Sequence, residues 1–296
     1  MIIASGSDNG IINIWDINTK KCINTINTNH KMVKYLSFST NGTKLASVCD
    51  NCINIWDCTS ANGQLIDALK DTHCNYIKFI DNDQKILYCD NANIKIWNFK
   101  DENNIIITDN FAFPCFHVSS DEHLLVYANS NKEIKILDIV ANKLIQLFND
   151  EELHAHVSFS KDNQKIVSSD INGNIKIWDI NTAQPICAIS SDGKWMTKAG
   201  FSDDDNKIVS GGYCNNICIW NANNGELLKR MECDDCMTVN LSFLDNDQKI
   251  ISIQNGVSES VYIWDVESGQ LENHIKWLAG ETNACMCADF YPKYMK

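Results

Sequence analysis

The sequence predicts an all-β chain, a seven-bladed β-propeller of four-stranded antiparallel blades closed by a C-terminal strand that joins the N-terminal ones. Three observations lead there. Tryptophan followed by Asp or Asn recurs at Trp15, Trp56, Trp97, Trp178, Trp220 and Trp264, in steps of 41, 41, 81, 42 and 44 residues. The step of 81 holds one more copy, Ile134-Lys135-Ile136-Leu137-Asp138, with Leu137 in the tryptophan position. A second apolar anchor stands 18 to 21 residues before each of Trp56, Trp97, Leu137, Trp178, Trp220 and Trp264. A fixed period near forty residues marks a repeat architecture in which each unit is one supersecondary element. The chain, 1–296, is read as a single domain, because the seven copies leave no sequence for another.

The tryptophan strand is the clearest element. Ile14, Ile55, Ile96, Ile136, Ile177, Ile219 and Ile263 precede the seven anchors, and Ile12, Ile53, Ile94, Ile134, Ile175, Ile217 and Val261 stand two residues earlier. Alternating β-branched residues indicate a strand with the aliphatic pair on one face and the tryptophan on the other. Apolar anchors on both faces require packing from both sides, as for a blade between two neighbours.

The upstream strand carries Phe38, Phe79, Val118, Phe159, Phe201, Phe243 and, near the C-terminus, Phe290. An apolar residue stands two before each, from Leu36 to Ala288, so the period is again two. A third strand lies between these, for example at 44–48, 165–169 and 249–253, after turns loaded with the Asn, Asp and Gly that hairpins favour. A fourth follows each anchor, at 22–26, 64–69, 105–108, 143–148, 185–189, 226–231 and 270–275. The chain begins in the second strand of one blade and ends just after a first strand. Residues 283–290 are therefore expected to complete the blade that residues 2–27 begin. Pro114 falls in a first strand and Pro185 opens a fourth, both blade edges where a missing N–H is tolerated.

The unit Phe38-Ser39, Gly42, Leu45-Ala46-Ser47, Ile53-Asn54-Ile55-Trp56-Asp57 resembles the WD40 repeat, and the resemblance extends over the whole chain. It implies blades set around a central channel, with the first strand innermost and the fourth outermost. It also implies a buried hydrogen-bonded set of a Gly-His histidine, a turn aspartate, a Ser or Thr and the tryptophan. The aspartate position reads Asn9, Asp50, Asn91, Asn131, Asn172, Cys214 and Ser258, and no Gly-His pair occurs. With Asn29-His30 as the nearest approach, only the Trp56 blade keeps the components of the full set.

Composition narrows the function. The net charge of −13 and a pI of about 4.9 repel phosphate backbones, and Arg230 is the only arginine, so nucleic acid and anionic membranes are not expected partners. A lone arginine also speaks against phosphopeptide reading, which relies on arginine clusters. The fourth positions of the motif, counted with the tryptophan as the first, are Asn18, Thr59, Asn181 and Glu267, and so lack the Trp-Asp-x-Arg by which some WD40 proteins dock on a ligase adaptor. No run approaches the ~18 apolar residues of a membrane helix, and the N-terminus has no basic-then-apolar pattern. Fourteen cysteines without a secretory pattern point to reduced thiols and an intracellular, cytoplasmic setting.

Chemistry-bearing motifs are sparse. Cys49-x-x-Cys52 and Cys233-x-x-Cys236 have half-site zinc spacing, with Cys214 a third candidate beside the second pair. They fall on distant blades and read as small apolar residues in a reducing cell. His154-x-His156 follows Glu151 and Glu152; strand phase puts His156 toward the channel and His154 near its mouth, where polar residues are ordinary. No nucleophile elbow, phosphate loop or His-Glu-x-x-His occurs, so no catalytic residue, metal or cofactor is assigned.

The expected function is a protein-interaction scaffold, a monomeric propeller with a protein or peptide on one face. A propeller enzyme with a pocket at the channel mouth and a structural subunit contacting through its outer strands are the alternatives. The resemblance places most partner sites on the face shared by the fourth-to-first and second-to-third connections. There Trp195 is placed in the loop 191–195, Tyr213 in the following connection of the same blade and Met237 at the end of the next loop. Aromatic residues with a methionine compose an interface hot spot, with Lys194 and Asp235 as its polar rim. The competing reading packs Trp195 inward in place of the missing histidine network.

Overall fold

A computed structural model of the chain describes residues 2–60, 62–70, 74, 76–89, 93–99, 105–109, 115–191, 194–213, 216–233, 237–244, 246–255, 260–276 and 285–291. The architecture is all-β. Seven four-stranded antiparallel sheets form the blades of a seven-bladed β-propeller, and no helix occurs among the described residues. The chain divides into two compact units.

The first unit, Met1–Asn110 with Leu278–Lys296, holds the Trp15, Trp56 and Trp97 blades. Its strands are β1 (Ile2–Ser7), β2 (Ile11–Asp16) and β3 (Lys21–Asn27); β4 (Val33–Phe38), β5 (Lys44–Cys49), β6 (Cys52–Asp57) and β7 (Gln64–Lys70); and β8 (Tyr76–Ile80), β9 (Lys85–Cys89), β10 (Asn93–Asn98) and β11 (Ile105–Thr108). The second unit, Phe111–Trp277, holds four blades. These are β12 (Phe116–Val118), β13 (Leu124–Ala128), β14 (Glu133–Asp138) and β15 (Lys143–Asn149); β16 (His154–Phe159), β17 (Lys165–Asp170), β18 (Asn174–Asp179) and β19 (Pro185–Ser190); β20 (Lys194–Phe201), β21 (Lys207–Tyr213), β22 (Asn216–Asn221) and β23 (Leu227–Glu232); and β24 (Met237–Leu244), β25 (Lys249–Asn255), β26 (Ser260–Asp265) and β27 (Leu271–Lys276).

The last strand, β28 (Cys285–Tyr291), returns to the first unit and pairs antiparallel with β1, Ile3 opposite Phe290 and Ala4 opposite Asp289. The sheet order β28-β1-β2-β3 is the expected closure, with the observed strand ending one residue later than expected. Pro185 opens β19 as expected, and Pro114 lies outside the described residues.

Packing follows the two-residue alternation read from the sequence. Ile12 and Ile14 of one blade pack with Leu36, Phe38, Leu45 and Trp56 of the next. Ile53 and Ile55 in turn meet Ile77, Phe79 and Trp97. In the second unit Ile134 and Ile136 meet Val157, Phe159 and Trp178, Ile175 and Ile177 meet Ala199 and Trp220, and Ile217 and Ile219 meet Leu241, Phe243 and Trp264. Each of these five aliphatic pairs thus closes on the face of the following blade that carries its anchor tryptophan, because neighbouring residues of a strand point to opposite sides. The blade interfaces are the core, and burial of these apolar faces is the dominant stabilising term.

The turns between first and second strands add a polar tie. Gly42, Asp83, Glu122, Asn163, Asp205 and Asp247 each stand two residues before the second strand and adopt left-handed φ between 56° and 72°. Where the repeat has glycine at this point (Gly42), four other blades carry Asp or Asn, the residues that tolerate the left-handed region best. Their side chains reach the preceding blade. Asp83 accepts the Thr40 and Asn41 amides (2.6 and 3.2 Å) and the Thr40 hydroxyl (2.7 Å). Asp247 accepts the Asp203 and Asp204 amides at 2.6 and 3.2 Å, and Asn163 accepts the Ser120 amide at 3.3 Å.

Candidate interaction face and its buried supports

The predicted partner site centres on β20, β21 and β24. Lys194 and Tyr213 are cross-strand partners at the end of the β20–β21 pair, and Met237 opens β24 opposite Asn255. Trp195 therefore lies inside the first strand and not in the loop before it. The pairing extends this far because β20 absorbs its extra residues in bulges between Lys194 and Met196 and between Met196 and Lys198. Tyr213 is likewise the last residue of β21 and not a loop residue, and its side chain is 56% exposed. No other aromatic side chain among the described residues is exposed to a comparable degree. The side chains of Lys194, Trp195 and Met237, and the whole of Asp235, lie outside the described residues.

Beneath the blades, five tryptophans donate their indole N–H to a serine of the second strand: Trp15 to Ser5 (3.0 Å), Trp56 to Ser47 (2.8 Å), Trp178 to Ser168 (2.9 Å), Trp220 to Ser210 (2.8 Å) and Trp264 to Ser252 (2.9 Å). The serine half of the family's set thus survives where the histidine and aspartate do not. Tyr88 and Tyr127 hold the serine position in the remaining blades, and both are buried. One faces the Trp97 blade's own anchor and the other the blade where Leu137 replaces tryptophan. The signal was present in the sequence as a serine nine to twelve residues before each of the five tryptophans.

The Trp56 blade does not assemble its histidine into that set. His30 Nε2 meets Cys52 Sγ at 3.3 Å, and the Asp50 carboxylate receives the Lys31 amide at 3.3 Å. Cys49 and Cys52 face one another across the hairpin. Burial pushes the Cys49 thiol up to about 11 and raises that of Cys52, so both stay protonated thiols. Cys214 and Cys236 lie outside the described residues; Cys233 is half-buried, 3.2 Å from Gln254 Nε2. No group of His, Cys, Asp and Glu side chains among the described residues is arranged to hold a metal ion.

His154 and His156 point to different surroundings. His154 is buried with Asp150, its Nε2 being 3.3 Å from Asp150 Oδ2, and Lys176 pairs with the other carboxylate oxygen. The Nε2–Oδ2 contact has the separation of an ion pair without hydrogen-bond geometry. Asp170, held by the Asn172 and Asn174 amides at 2.9 and 2.8 Å, adds a second negative charge. Burial outweighs both carboxylates and depresses the His154 imidazole from 6.5 to about 4, so it is neutral near pH 7. His154 therefore sits in a buried ion cluster and not at an open mouth. His156 is half-buried on the innermost strand.

Three segments, residues 20–57, 153–179 and 182–221, match the family described as WD domain, G-beta repeat. They cover about a third of the chain and fall on the Trp56, Trp178 and Trp220 blades. No curated protein matches the sequence.

Proposed function

This chain is a WD40-repeat β-propeller protein, and on that premise we propose that it holds a partner protein or peptide on the face that carries Tyr213. WD40 propellers are in general interaction scaffolds and typically not enzymes. The observation that carries the proposal is the 56% exposure of Tyr213, since a solvated aromatic on a rigid strand end costs little entropy to bury against a partner. Trp195 and Met237, with Lys194 and Asp235 at the edge, complete the surface in this reading. The opposite turns support it indirectly, because Asp83, Asp205 and Asp247 are committed to holding blades together. The free thiols among the described cysteines agree with an intracellular setting. No helix among the described residues is long and apolar enough to cross a membrane.

The test is affinity capture from native cells with parent, Tyr213→Ala and Trp195→Ala baits, each checked by thermal melting. Loss of a stoichiometric partner from baits that melt like the parent supports the site. Undiminished capture by both variants sinks it. A second reading, contact through the outer strands in a larger assembly, is favoured by Leu65, Ile66, Leu144, Ile145, Leu227 and Leu228, all exposed on β7, β15 and β23. Leu144→Lys with Ile145→Lys removes the partner in that case and leaves it bound in the first.

A further inference from the structure

We propose that Cys49 and Cys52 form a reversible disulfide site, oxidised by a low-molecular-weight disulfide, with His30 as the group that takes the Cys52 proton. β5 ends at Cys49 and β6 begins at Cys52, with Asp50 and Asn51 as the turn between them. The strand register sets the two cysteines directly opposite one another. No other ladder among the described residues pairs cysteine with cysteine. Opposed residues of an antiparallel pair project from the same face, with Cα atoms about 4.5–5.5 Å apart. A disulfide needs a Cα separation of about 4.4–6.8 Å, so the hairpin admits the bond without rearranging its backbone.

The two thiols interact with one another but differ in access. Cys49 is fully buried, with Ser47 and Thr28 beside it, while Cys52 keeps 7% exposure. His30 is half-buried in the connection between β3 and β4 and brings Nε2 to 3.3 Å from Cys52 Sγ. In the tautomer that carries its proton on Nδ1, Nε2 accepts the thiol hydrogen. Burial, and after it the Asp50 carboxylate, holds both thiols protonated. The pair is therefore inert until a base removes a proton, and a thiol of high pKa is the stronger nucleophile once ionised.

Oxidation proceeds by exchange. Cys52 gives its proton to His30, and its sulfur attacks one sulfur of the small disulfide. That S–S bond breaks, and one half leaves as a thiol carrying the proton from His30. Cys52 is left in a mixed disulfide. The Cys49 sulfur then attacks the Cys52 sulfur and expels the second half, which leaves with the Cys49 proton. The protein thiols lose two electrons and two protons in all, and the small disulfide becomes two thiols. The product has no thiol hydrogen for His30. The β3–β4 connection thus gives up that tie to the turn and keeps the Lys31 amide on Asp50.

The test equilibrates the full, reduced chain with graded ratios of reduced to oxidised glutathione, alkylates the remaining thiols and maps the peptides. The peptide 45–70 also holds Cys58, so fragmentation within it assigns the bond. A Cys49–Cys52 disulfide is expected, fully reversed by excess reduced glutathione. Cys49→Ser should stop at the mixed disulfide on Cys52, and Cys52→Ser should leave Cys49 reduced; alanine replaces serine in a variant that does not melt like the parent. His30→Gln should slow formation by about a hundredfold. Amide hydrogen exchange over residues 28–32 should be faster in the oxidised chain. The exposed Cys22 reports that the oxidant is active. Full alkylation of Cys49 and Cys52 at ratios that glutathionylate Cys22, or a disulfide from either of them to Cys58, overturns the proposal. The parent rate in His30→Gln overturns the part assigned to His30, and unchanged exchange over 28–32 overturns the loosened tie.

Discussion

The carboxylate of Asp205 receives the backbone amide of Lys161 from the preceding blade at 2.7 Å, and its second oxygen receives that of Asp162 at 2.9 Å. Asp205 does this from a left-handed backbone, φ 57°, at the point where the repeat pattern has glycine. Two effects therefore compete at one residue. Glycine would relieve the backbone, while aspartate gains two charge-assisted bonds that fasten one blade to the next.

We predict that the bonds win. Asp205→Gly should destabilise the protein by about 1–3 kcal/mol despite its better backbone preference. Asp205→Asn should cost less, since Asn163 makes the equivalent contact with Ser120. Thermal melting decides the order; a glycine variant more stable than the parent would show that backbone strain dominates.

The indole–serine pairs give a second prediction. Ser210 is fully buried, and its hydroxyl is 2.8 Å from Trp220 Nε1. Ser210→Ala leaves a buried N–H unsatisfied and should cost about 1–3 kcal/mol. Trp220→Phe together with Ser210→Ala should cost less than the sum of the single changes, because neither partner is then orphaned. Strict additivity in a double-mutant cycle would mean that the bond contributes nothing.

Acid should weaken the fold through His154. Its imidazole titrates at about 4 in the folded chain against 6.5 in the unfolded one, because burial disfavours the charged form. The folded state then binds fewer protons, so stability falls as pH drops from about 6.5 to about 4, by at most about 1.4 kcal/mol per unit for this group. His156, also depressed by burial, acts in the same direction. His154→Gln should flatten the acid side of the stability curve, and an unchanged acid slope in that variant would remove His154 as the cause.

Closure is tested by truncation. Removing residues 283–296 deletes β28 and exposes the edge of β1. Unpaired edges recruit other chains, so aggregated or poorly folded protein is expected. A monomeric truncation that melts like the parent would show that the β28–β1 pairing is dispensable.

The sequence by itself determined the strands and their grouping into blades. Period-two alternation around Trp15, Trp56, Trp97, Leu137, Trp178, Trp220 and Trp264 is a local signal, and burying both faces of such a strand admits few architectures. Closure was also legible, since Ala288 and Phe290 repeat the first-strand anchor pattern, and the strand that carries them pairs with β1. Tertiary structure decided what depends on two blades at once. The turn aspartates read as ordinary turn residues until Asp83, Asp205 and Asp247 meet the amides of the blade before them. His154 and His156, two residues apart in one strand, part into a buried ion cluster and a half-buried position on the innermost strand because a bulge separates them and different neighbours cover each. Side-chain direction follows from the pleat, but the charge a side chain meets is set by neighbouring elements, Asp150, Asp170 and Lys176 for His154 and Lys198 and His117 for His156. Only the packed blades bring those together.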